Sequence, residues 1–176
     1  MSAFETKFLA FRVYQSADTE AFRRLHDLHV ERIRRFVAFK VSRAEEADEL
    51  TNEVFFRAWE YMTTQKVDNV SAFLFKVARN MIADHYRKVK FTEPLTPALE
   101  AVTPAAGSFV HDLEVHEEAE QVLSLMKSLK AEHRSVLLMR FQDEMSIAEI
   151  ATVLDMTSNA VRVLLHRAKQ ALKRKV

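Results

Sequence analysis

Every proline of the sequence, Pro94, Pro97 and Pro104, and its one glycine, Gly107, lie within residues 94–107. The stretches on either side hold no residue that breaks a helix interior. Two long breaker-free stretches around one breaker cluster read as helices on both sides of an extended connection. The expected fold is therefore all-α: two small helical domains joined by a flexible linker, the second ending in a helix-turn-helix. Residues 1–90 form the expected N-terminal domain, 91–111 the linker and 112–176 the C-terminal domain. A chain of 176 residues is long enough for two small cores.

Apolar spacing and cap residues place the helices. Residues 19–40 carry Phe22, Leu25, Ile33, Phe36 and Val37 at helical intervals, behind Asp18 or Thr19 as cap. Ser42-Arg43-Ala44-Glu45 reads as a capping box for a helix over 43–62, with Ala47, Leu50, Val54, Ala58 and Tyr61 in one stripe. A polar loop, Thr63 to Asn69, precedes a helix over 71–89 with Leu74, Val77, Ala78, Met81 and Ile82 inward. Beyond the linker, helices are expected over 112–129 and 131–141. Ser146-Ile147-Ala148-Glu149 is a second capping box, followed by a break at Asp155-Met156-Thr157 and a last helix from Ser158. The turn lacks the usual glycine, so Asp155 is expected to take a positive φ.

Net charge is +1, but its distribution is uneven. Residues 158–176 hold six basic side chains and no acidic one, and residues 76–90 hold five against Asp84 alone. Residues 93–120 hold seven acidic side chains and no Lys or Arg. A short helix, a three-residue turn and a longer helix make the pattern whose second helix enters a DNA major groove. On that helix Ser158, Asn159, Arg162, Val163, His166 and Arg167 lie largely opposite the apolar stripe. Arg can bond guanine, Asn can read adenine and Val can meet a thymine methyl. In the first domain Lys76, Asn80, Asp84 and Arg87 share one side of a helix, with Arg79 nearby. Trp59, Tyr61, Phe73 and Tyr86 lie close, and basic groups among aromatics suit a single strand. Asp84 is expected to pair with Lys88 four residues on.

No catalytic pattern emerges. The seven histidines show no metal-ligand spacing, and one glycine is too few for a phosphate-cradling loop. Without cysteine the chain has no disulfide, no Cys-ligated zinc and no thiol switch of its own. No apolar run reaches the roughly 18 residues of a membrane span, and the N-terminus lacks the order of a signal peptide. The expectation is a soluble, cytoplasmic protein that needs no cofactor or metal, is not an enzyme and does not insert into a membrane.

Taken in order, the segments resemble one family. Glu46 to Phe55 with Arg57-Ala58-Trp59, then Phe73 to Asn80 with Asp84, His85 and Arg87, are similar to stretches of bacterial RNA polymerase sigma factors. The branch is the extracytoplasmic-function one. Leu138 to Phe141, Ile147 to Ala151, and Val161-Arg162 with Arg167-Ala168 continue the resemblance. It implies that Asp48, Glu49, Leu50, Asn52, Glu53, Val54 and Phe55 meet core polymerase at the clamp helices of its largest subunit, the flap being a further contact. It implies that Lys76, Arg79, Asn80, Asp84 and Arg87, with loop 63–70, hold the unwound −10 strand. The last helix would read the −35 duplex, and an anti-sigma factor would restrain the whole. Two other readings stand beside it. One is a helix-turn-helix regulator that is not a polymerase subunit. The other is a helical nuclease using the carboxylates Glu45, Glu46, Asp48, Glu49 and Glu53.

Overall fold

The computed structural model describes residues 3–41, 43–92 and 128–174. The chain divides into two units, Met1–Ala106 and Gly107–Val176, and the described residues of both are helical with no strand. The expected linker and nearly all of the helix expected over 112–129 lie outside the described residues.

The first unit holds α1 (Ala3–Ser16), α2 (Thr19–Ala38), α3 (Ala44–Met62) and α4 (Val70–Thr92). Helix α1 was not foreseen. It buries Leu9, Ala10 and Val13 and packs chiefly on α2. Ala17 ends it with a left-handed φ of 48°. Asp18 then caps α2 by accepting from the Ala21 N–H at 2.9 Å, and its other oxygen meets Arg12 at 2.5 Å. The capping hydrogen bond, helped by Arg12, holds the Asp18 carboxyl below the usual carboxylate range.

Helix α3 packs against both α2 and α4. Its buried stripe is Ala47, Thr51, Val54, Phe55, Ala58 and Met62. The expected stripe placed Leu50 and Tyr61 inward; Thr51 and Met62 take those places, a rotation of about one residue. Thr51 tolerates burial because its hydroxyl donates to the Ala47 carbonyl at 2.6 Å. The helix also starts later than the Ser42 cap implied. Arg43 sits at the cap with no side-chain cap hydrogen bond, and Ser42 lies outside the described residues. Glu45 and Glu46 in the first turn complement the helix dipole instead, and Arg43 bonds Glu46 at 2.9 Å.

Asn69 opens α4 by accepting from the Ala72 N–H at 2.9 Å. Leu74, Phe75, Ala78, Met81 and Ile82 are buried, Phe75 taking the depth expected of Val77. Phe36 meets Phe75 edge-on at 5.1 Å, and Phe22 meets Trp59 at 5.1 Å. The Tyr86 hydroxyl donates to the Lys40 carbonyl and ties α4 to the end of α2. Burying a side chain such as Phe75 contributes about 1.5–3 kcal/mol, so these rings fix the relative pose of the helices.

The second unit holds α5 (Ala131–Leu137), a wider turn of π-helix over Leu138–Gln142, α6 (Ile147–Leu154) and α7 (Ser158–Lys173). The helix expected over 131–141 thus changes its winding at Leu138. The Asp143 N–H reaches the Leu138 carbonyl at 3.0 Å, and Arg140 donates to the Met145 carbonyl at 2.8 Å. Val136, Met139, Met145, Ile150, Val161 and Leu165 form the centre of this unit.

His29 on α2 is buried, and neither ring nitrogen has a hydrogen-bond partner. Burial, with the Arg32 charge adding to it, holds its pKa down to about 4. The folded chain keeps this ring neutral, whereas the unfolded chain protonates it below its ordinary value of 6.5. Its contribution to stability is therefore whole above that value and is lost as the pH falls toward 4. The loss should reach about 3 kcal/mol. Denaturant titrations at neutral and acid pH should show His29→Leu with this part of the acid sensitivity removed.

Candidate nucleic-acid and partner-docking faces

The helix-turn-helix is built as the sequence implies. Ser146 accepts from the Glu149 N–H at 3.2 Å while Glu149 accepts from the Ser146 N–H at 2.8 Å, closing the capping box of α6. Asp155 ends α6 in the left-handed region, with φ 53° and ψ 44°. Thr157 caps α7 by accepting from the Ala160 N–H at 3.2 Å. Val161, Leu165 and Ala168 bury the inner stripe of α7. Asn159, Arg162, Val163, His166 and Arg167 are exposed, and Ser158 is half-buried at the N-terminus. No acidic residue interrupts α7, so its outward face carries only positive and neutral groups. Lys169 and Lys173 extend that face, and the Lys169 ammonium lies 4.9 Å from the centre of the Phe141 ring. Both lysines fall one or two turns beyond Arg162 and His166, a spacing readable from the sequence.

On α4, Lys76, Arg79 and Asp84 are half-buried and Asn80 and Arg87 are exposed. At 100° per residue, Lys76, Asn80 and Arg87 fall within about 40° of one another. Asp84 pairs with Arg87 at 3.1 Å, and the side chain of Lys88, its expected partner, lies outside the described residues. Tyr61 and Phe73 stack at 4.9 Å with ring planes 32° apart, one at the end of α3 and one in the first turn of α4. The loop between them exposes Thr64, Gln65, Lys66, Asp68 and Asn69. An aromatic pair at the foot of an exposed polar loop, beside a basic helix face, suits an unstacked base and its phosphates.

The third face is the solvent side of α3. Glu45, Asp48, Glu49, Asn52 and Glu60 are exposed there, and Leu50 and Glu53 are half-buried. Two of the expected contact residues are not on it: Val54 is 0% and Phe55 5% exposed, because both face the core between α2 and α4. Phe56, which sequence reading passed over, is 57% exposed one turn from Asn52. Three consecutive apolar residues, Val54-Phe55-Phe56, carry no sign of which one points outward; only the neighbours of the helix decide it. Asp48 meets Arg34 at 2.6 Å and Glu53 meets Arg57 at 3.0 Å. The arrangement is an apolar ring within a mainly acidic rim. Among the described residues, no group of His, Asp and Glu is arranged to hold a metal ion, and no helix is long and apolar enough to cross a membrane.

Comparison with known proteins identifies the family. Residues 22–92 match Sigma-70 region 2, and residues 119–172 match Sigma-70, region 4. The chain is 27% identical over 167 residues to the ECF RNA polymerase sigma factor BldN of Streptomyces coelicolor, covering 91% of this chain and 62% of BldN. It is 29% identical over 162 residues to the ECF RNA polymerase sigma factor SigL of Mycobacterium tuberculosis, covering 90% of each. Among solved structures, CnrH in complex with the cytosolic domain of CnrY has a similar fold, with a TM-score of 0.70 at 20% identity over 97% of this chain and 96% of that one. The sigma factor RpoE of Bartonella quintana, in complex with the anti-sigma factor NepR, follows at 0.65 and 18% over 89% and 96%. The chain belongs to the sigma-70 family of RNA polymerase sigma factors, in its extracytoplasmic-function branch.

The left-handed Asp155 sets the pose of α7 and can be tested directly. Asp155→Gly should leave the stability of the second unit equal or higher. Asp155→Val, β-branched in the same conformation, should cost about 1–2 kcal/mol. Thermal denaturation of both variants measures the difference.

Proposed function

We propose that this chain joins core RNA polymerase in the cytoplasm, selects promoters and helps open them, and that it catalyses no reaction itself. The observation that best supports this is the outward face of α7, basic and without an acidic residue, on a buried inner stripe, in a chain that also carries region 2. The division of labour follows from the three faces. The solvent side of α3 docks on the polymerase clamp through Glu49, Asn52 and Glu53, with Phe56 at its centre. Lys76, Arg79, Asn80, Asp84 and Arg87 on α4, with the loop after α3, hold the separated −10 strand. Ser158, Asn159, Arg162, Val163, His166 and Arg167 on α7 read the −35 duplex. RpoE of Bartonella quintana is bound by an anti-sigma factor. A partner of that kind, restraining this chain until a signal arrives, belongs to the same proposal.

Run-off transcription with purified core polymerase, with and without the chain, across a promoter library is the direct test. Specific transcripts that depend on the chain support the reading. Binding to duplex DNA without any such transcript would leave a regulator that is not a polymerase subunit. Arg162→Ala should cost roughly 1–3 kcal/mol and relax preference at one −35 position if the guanidinium reads a base. A loss uniform across sequences would place it on a phosphate. Asn80→Ala should impair opening, and a template with a pre-melted −10 bubble should restore its activity. Glu49→Lys combined with Asn52→Ala should weaken binding to core polymerase roughly tenfold with helicity unchanged, since both side chains are exposed.

A further inference from the structure

Helix α1 has two apolar faces, and the core uses one. Leu9, Ala10 and Val13 are buried on the inner side. On the outer side Phe4 is 80%, Phe8 52% and Phe11 47% exposed. At 100° per residue the three rings fall within about 60° of one another, opposite Val13, and span about 10 Å of helix. Isolated exposed apolar residues are ordinary, but three phenylalanines in a single line on a surface helix are an interaction surface. Their four-three spacing is that of positions d, a and d in a coiled-coil seam.

The charges beside the stripe point to what covers it. Glu5 and Arg12 lie on the same shoulder of the helix, one near each end of the stripe, and both are exposed. A two-fold contact must be self-complementary, each residue meeting its counterpart's partner. Turning one copy of α1 end for end about Phe8 sets Phe4 within one residue's rise, about 1.5 Å, of Phe11 of the other copy. It also brings Glu5 alongside Arg12 of the other copy, and Arg12 alongside Glu5, at both ends. Arg12 already meets Asp18 and Glu5 has an interaction within its own copy, but a guanidinium has five N–H donors and a carboxylate about four acceptor sites, so each can serve a second partner. A parallel pairing loses this match, because like residues then face each other.

We propose that α1 is a self-association surface on which two copies of this chain pair antiparallel through Phe4, Phe8 and Phe11. The three rings expose about 350 Å² per copy, judged from about 200 Å² for a whole ring side chain. Two copies together thus cover well under the roughly 1,200–2,000 Å² of a stable interface. The dimer is accordingly weak and reversible, with a dissociation constant on the order of 0.1 mM. It forms where the chain is concentrated and dissolves on dilution.

Sedimentation equilibrium of the full chain across that concentration range tests the proposal. The expected result is a monomer–dimer equilibrium that Phe8→Glu weakens at least tenfold while circular dichroism stays unchanged. Because the chain has no cysteine, single cysteines report the orientation without background. Under mild oxidation Phe8→Cys, next to the two-fold axis, should cross-link to its own counterpart, and Phe4→Cys should not. Equal cross-linking of both would overturn the antiparallel pairing. A chain that stays monomeric throughout, or a dimer that Phe8→Glu leaves intact, would overturn the surface itself and leave the stripe to a different protein.

Discussion

The first unit depends on the burial of α3 against two helices at once. Ala47, Ala58 and Val54 are small enough for α2 and α4 to approach closely, while Phe55 and Met62 fill what remains. With so much of its circumference committed, α3 can rotate in neither direction without exposing apolar surface or burying a carboxylate. Its solvent side is therefore fixed as firmly as its core side. The same clamp sets the distance between Tyr61, at the end of α3, and Phe73, in the first turn of α4. The solvent side of α3 and the loop beside the basic helix are thus consequences of one packing arrangement.

The sequence was most informative where a side chain satisfies backbone groups locally. Asp18 and Ser146 cap their helices because a short polar side chain can reach an N–H three residues on. Asp155 adopts the left-handed conformation because no glycine was there to take it. The outward side of α7 was equally legible, since its buried apolar residues recur at strict helical intervals and leave one side polar but for Val163. Legibility ended where tertiary neighbours decide. Helix α1 was missed because its most apolar residues face away from the core, while Leu9, Ala10 and Val13 make only a short inner stripe. The rotation of α3 turned on Thr51, a residue that pattern reading counts as polar. The π-helical turn after Leu137 has no periodic signature; Arg140 spans it by reaching the Met145 carbonyl, a contact that no spacing rule announces.

That contact also refines how the family motif around Arg140 is understood. A basic residue in a DNA-binding unit invites assignment to a phosphate. Here the guanidinium braces the backbone that leads into α6. Charge near a nucleic-acid face is thus divided between groups that hold the protein's shape and groups available to a ligand, and only hydrogen-bond partners separate the two.

Helix α6 is bracketed by two non-glycine residues of positive φ, Glu144 before its capping box and Asp155 at its end, both at φ 53°. Each such residue carries a conformational cost of about 1–2 kcal/mol that relaxes when the chain opens there. The segment between them, 145–154, therefore has a weak point at each end and a firm capping box inside. It forms a block that detaches whole rather than fraying residue by residue. In amide hydrogen exchange the interior of α6 should then open as one step, at a lower free energy than global unfolding of the unit, so that the support beneath α7 can loosen and re-form without α7 itself unwinding.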